Sequence, residues 1–181
     1  MVDDRPTVPS RRRLLTAGAS VAPVLLTLAS RPVLAGQCMC ASAMAGSLNG
    51  SVMHMASTCY GRTPTYWSST HSWPTPFYAN GSSATDFHST TTGFATGVNG
   101  NFGTQTMMHV INQQGTNSAY NVGAYISAAI LNARMGYTPV LTEANVRNMW
   151  NQYAATGQFS PSAGIYWNGN QIIQYINTTM A

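Results

Sequence analysis

The chain has 181 residues, with eight arginines, no lysine, four carboxylates and a formal charge of +4. Most of that charge lies in the first 35 residues; residues 36–181 hold only Arg62, Asp86, Arg134, Glu143 and Arg147, three cations against two anions. Three scattered arginines do not neutralise a phosphate backbone, so this composition excludes nucleic-acid binding and gives no basis for an acidic partner.

The first element is a leader. Arg11, Arg12 and Arg13 precede a mildly apolar run from Leu14 to Ala29, and Arg31-Pro32-Val33-Leu34-Ala35 closes it. A basic head, an apolar middle and a small-residue exit form the layout of an export signal. The run falls short of the ~20 apolar residues a spanning helix needs, and Pro23 interrupts it. No stable membrane span is therefore expected. The segment resembles the twin-arginine signal of bacteria: Ser10, Arg11, Arg12, Leu14 and Leu15 match, and Thr16 stands where Lys is usual. This implies cleavage after Ala35, the export machinery as a partner, folding before export, and a periplasmic or extracellular location. Residues 1–35 are then the signal and 36–181 one mature domain. That domain divides into an irregular part, 36–104, and a helical part, 105–181.

Three cysteines follow, Cys38, Cys40 and Cys59. In an oxidising compartment one disulfide is expected, joining Cys59 to Cys38 or to Cys40 and leaving one cysteine over. Soft ligands gather in the same region. Cys38, Cys40, Met53, His54 and Met55, with Met107, Met108 and His109 further on, combine thiolate, thioether and imidazole. Thiolate and thioether select Cu(I), so periplasmic copper binding is the alternative reading. Otherwise methionine fills irregular apolar gaps, and no cofactor is expected.

Residues 59–104 are dense in Gly, Ser, Thr, Asn and Pro, and Pro64, Pro74 and Pro76 are expected to break any helix there. Tyr60, Tyr66, Trp67, Trp73, Phe77, Tyr78, Phe87, Phe94 and Phe102 punctuate the stretch. A disordered linker has few such rings, so the segment is expected to pack down irregularly on its aromatics. Catalytic material is thin. Asp86-Phe87-His88 offers an imidazole with a nearby carboxylate, and Asp86 with Glu143 is the one carboxylate pair available to a glycosidase. No Gly-x-Ser-x-Gly elbow, phosphate loop or dinucleotide fingerprint is present. No catalytic residue is assigned.

The last third carries helical periodicity. Val122, Ile126, Ala129, Ile130 and Ala133 predict a helix over 117–135, capped by Asn117 or Ser118 and ended by Gly136. Thr142 opens a second helix with Val146, Met149, Trp150 and Tyr153 on one face and Gly157 at its end. Ile172, Ile173 and Ile176 predict a third over 170–178. The expected fold is mainly α: a small helical bundle from the C-terminal half, wrapped by the long aromatic-rich segment.

Within that segment Cys59, Gly61, Thr63, Pro64, Tyr66, Trp67, His71, Trp73 and Pro74 form a run. It resembles a motif of exported bacterial proteins, roughly Cys-x-Gly-x-Thr-Pro-Gly-Tyr-Trp-Lys-x-His followed by Trp-Pro. Thr65 replaces the Gly, Ser68 replaces the Lys, and one extra residue precedes His71. Ala129–Ala133, Leu141-Thr142 and Gln171–Ile176 look similar to later segments of the same proteins. The resemblance implies export and brings no reaction with it. Together with the near-neutral polar composition it points to a non-enzymatic envelope or extracellular protein, structural or interacting, with self-association an option.

Overall fold

The computed structural model describes residues 39–40 and 58–181, with side chains from Cys59 onward, all within the unit Pro32–Ala181. Arg11, Arg12, Ala35, Cys38, Met53, His54 and Met55 lie outside the described residues. The elements in order are β1 (Met39–Cys40), β2 (Thr58–Cys59), α1 (Pro64–Ser69), α2 (Met107–Asn112), α3 (Ser118–Arg134), α4 (Glu143–Thr156), β3 (Gln158–Ser162), β4 (Ile165–Asn168) and α5 (Gly169–Asn177). The described part is mainly α, with five helices.

Uncharged caps start every one of these helices. Thr63, Thr106, Asn117, Thr142 and Asn168 each accept a backbone N–H three residues on. Such a bond satisfies an orphan donor and contributes ~1 kcal/mol. At α5 the Gln171 side chain also accepts from the Asn168 N–H at 2.9 Å, completing a capping box. Gly157 ends α4 at φ 78°, a left-handed conformation that costs glycine least.

Helix α3 is the axis of the core. Val122, Ala124, Ile126, Ala128, Ala129, Ile130 and Leu131 are all buried, because α2, α4 and α5 pack around it and α1 joins from the segment side. Each large aliphatic side chain removed from water contributes about 1.5–3 kcal/mol. The α4 stripe of Val146, Met149, Trp150 and Tyr153 is buried, as are Ile172 and Ile176 of α5. Trp150 receives the rings of the irregular segment: Phe87 at 4.8 Å, Phe102 at 5.6 Å and Phe94 at 6.2 Å between centroids.

Two differences from expectation stand out. Pro64 begins α1 rather than breaking a helix, because at the first helical position its missing N–H is an orphan anyway. Residues 158–168 form an antiparallel hairpin, Gln158 opposite Asn168 and Phe159 opposite Trp167, irregular between Phe159 and Ser162; Pro161 sits at that irregularity, where a ladder N–H is dispensable. The expected disulfide holds at Cys59, which is disulfide-bonded. Cys59 is the one cysteine with a described side chain, so its partner lies outside the described side chains. Cys59 is fully buried and is not free. What ties residues 60–61 down among the described residues is backbone pairing. Tyr60 N–H donates to Tyr137 O, Gly61 N–H to Thr179 O, and Ala181 N–H to Gly61 O.

Candidate functional site

The motif run folds into one clamp on α3. Gly61 lies so close to the C-terminal segment that a Cβ there would stand 2.5 Å from Thr179 O. Thr63 caps α1, and the short helix turns Trp67 inward, where it is 2% exposed. Asn132 of α3 receives it. Its side-chain oxygen accepts from the Trp67 indole N–H (3.1 Å) and from the Arg62 backbone N–H (2.8 Å), while its amide donates to Arg62 O (2.9 Å). Two donors meeting one atom fix the amide orientation. Trp73 completes the clamp by donating its indole N–H to Trp67 O at 3.1 Å, and Pro74 O accepts from Phe77 N–H.

The outer face of the clamp is different. Tyr66 is exposed, with the Arg62 guanidinium 5.1 Å from its ring centroid. Tyr60 and Tyr78 are also exposed, and His71 pairs through Nδ1 with the Asn80 amide on the surface. Thus Cys59, Gly61, Pro64, Trp67 and Trp73 serve packing, whereas Tyr66 and His71 face solvent.

His88 is a structural post. Its Nε2 accepts from Phe102 N–H at 3.0 Å, so the proton sits on Nδ1, which donates to Phe94 O at 3.1 Å. Both nitrogens are therefore committed to backbone, and Asp86 does not orient the ring. Asp86 is exposed, its backbone bridging to Thr106. The other carboxylate, Glu143, lies between two guanidinium groups: Arg147 Nη2 at 2.7 Å and Arg134 Nη1 at 3.3 Å. These arginines also clasp the segment, Arg134 Nε donating to Thr75 O and Arg147 Nε to Thr92 O.

The soft-ligand set loses its described members. Helix α2 turns Met107 and Met108 into the core and leaves His109 exposed, so the three do not converge. Among the described residues no three of His, Cys, Asp and Glu stand where they could hold a metal ion. Cys40 is described only as a strand residue opposite Cys59. Among the described residues, too, no helix is long and apolar enough to cross a membrane.

Two tyrosines have perturbed hydroxyls. Burial pushes Tyr153 up, and its hydrogen bond with Ser118 pulls it partly back. Burial alone pushes Tyr175 up, and its hydroxyl is buried without a hydrogen-bond partner among the described residues. The Ser127 hydroxyl is likewise buried with no partner among the described residues.

The residue that organises the site, Asn132, was not singled out by the sequence. Its signal was a polar side chain inside an otherwise apolar helix, but its partners lie 65 to 70 positions upstream. Compared with family models, curated proteins and solved structures, the chain finds no match.

Proposed function

We propose that this is an exported bacterial protein whose folded part is a non-enzymatic envelope or extracellular interaction module that associates with itself. One observation carries the reading: the division of labour among polar side chains. Asn132, His88, Glu143, Arg134 and Arg147 are engaged with backbone or with one another. Tyr60, Tyr66, Tyr78 and Tyr166 remain exposed. The region from Asn148 to Ala181 carries no charged residue at all. A surface of this kind does little to repel its own copies, and tyrosine is enriched where proteins meet. The arginine-led leader and the resemblance of the Cys59–Pro74 run support the export part. The copper alternative has no described ligand cluster behind it and is not carried forward.

Sedimentation and light scattering across a concentration series test association. Rising mass with concentration, reduced in Tyr66→Ser/Tyr166→Ser, is expected; a strict monomer at high concentration overturns it. Export is tested by Arg11→Lys/Arg12→Lys, expected to retain the chain inside the cell.

A further inference from the structure

Three Asn-Gly pairs fall among the described residues: Asn80-Gly81, Asn99-Gly100 and Asn168-Gly169. In such a pair the glycine nitrogen can attack the asparagine side-chain carbon, because no Cβ hinders the approach. Sequence makes the three equivalent; the fold does not.

Asn99-Gly100 is locked. Gly100 N–H donates to Gly97 O at 3.1 Å, Asn99 N–H donates to Ala154 O at 3.0 Å, and Gly100 lies buried against the Trp150 ring. Asn168-Gly169 is locked differently. The Asn168 side-chain oxygen accepts from Gln171 N–H at 3.1 Å as the cap of α5, and Gly169 is pressed against Val122 and Tyr153. Asn80-Gly81 is open. Asn80 is exposed, and among the described residues Gly81 has nothing within 4 Å of where a Cβ would stand and its N–H has no hydrogen-bond partner. The one restraint is the Asn80 amide contact with His71, between two exposed side chains where water competes.

We propose that Asn80 is a self-modification site, converted through a succinimide to aspartate and isoaspartate. Gly81 N attacks Asn80 Cγ, forming a C–N bond. The Cγ–Nδ2 bond breaks, and ammonia leaves carrying the Gly81 amide proton. Water then opens the ring at one carbonyl to give aspartate, or at the other to give isoaspartate. No oxidant or reductant is involved. The fold tolerates the extra backbone methylene of isoaspartate because the loop is closed below it: Thr85 N–H donates to Tyr78 O, and Tyr78 N–H to Thr85 Oγ1, both at 2.9 Å. The product places a carboxylate opposite His71 and moves residues 36–181 from a formal +1 to zero. This inference stands apart from the proposed function.

The test is incubation of the purified full chain at mildly alkaline pH, natively and in urea, with peptide mapping and isoaspartyl methyltransferase labelling. In the native state Asn80 is expected to convert at least about tenfold faster than Asn99 or Asn168, since attack geometry sets intramolecular rates. In urea the three rates are expected to converge, and Asn80→Gln to remove the native-state signal from the peptide that spans residue 80. Equal native rates overturn the proposal. So does a lead by Asn99 or Asn168, or conversion at Asn80 only in urea.

Discussion

Residues 59–104 and residues 105–181 meet the same requirement, that buried backbone polar groups find partners, by opposite means. The helical part satisfies itself locally, through its own turns and four neutral caps. The irregular segment has little ladder of its own and borrows partners from α3 and α4. Asn132 serves Arg62, Arg134 serves Thr75, Arg147 serves Thr92, Asn151 serves Gly93 and Ala95, and the Trp150 indole donates to Ala95 O. The lesson concerns where charge and amide groups are spent. Residues 36–181 have five charged side chains, and three of them, Arg134, Glu143 and Arg147, sit where a loop needs holding.

The comparison breaks most sharply at Asn132. Asn132→Leu keeps the branching of the side chain but strands the buried Trp67 indole N–H and both backbone groups of Arg62. A loss of about 3–5 kcal/mol in urea unfolding is expected. A loss below about 1 kcal/mol would mean the clamp rests on packing alone. Asn151→Ala is milder, because its bonds to Ala95 N–H and Gly93 O lie at the surface. About 1 kcal/mol is expected, with faster hydrogen exchange at Ala95 and unchanged protection in α3. Equal loosening of α3 would show the two regions to be one cooperative unit.

The smallest effect sharpens the helical side. Tyr175→Phe removes a buried hydroxyl that has no partner among the described residues, so stability at neutral pH is expected to rise by up to about 1 kcal/mol. Its pH dependence has a defined sign. Burial raises the folded Tyr175 above the unfolded tyrosine range near ~10, so its contribution is complete below that range and lost as pH rises through and beyond it. Tyr175→Phe should therefore lose less stability than the parent in alkaline melts.

Much of the helical part was legible because its signals are local. Periodicity placed α3, α4 and α5 within a residue or so, and Asn117, Thr142 and Gly157 cap where their chemistry predicts. Helix α1 was also written in the sequence, as Thr63-Pro64, but a proline can open a helix as well as end one. The 158–168 hairpin was harder, since the Phe159–Trp167 pairing depends on a turn whose alternation is broken at Ser162. The clamp was hidden for a different reason. Its motif residues are visible as a run, but whether a tryptophan packs or binds depends on a partner some 65 residues away. Met107 and Met108 show the same limit: adjacent soft side chains suggested a ligand set until α2 turned both inward.

The pairing of Gly61 with Thr179 and Ala181 also governs timing. It closes a loop of about 120 residues, an entropic cost that must be met before the contact returns anything. A ribosome delivers Gly61 long before its partners. The clamp's first residue must therefore wait, unpaired at that edge, until the rest of the described fold has been synthesised. Helices α3 and α4 can form meanwhile from near neighbours. Closure at Gly61 therefore cannot precede the synthesis of Thr179 and Ala181, however early the helices form.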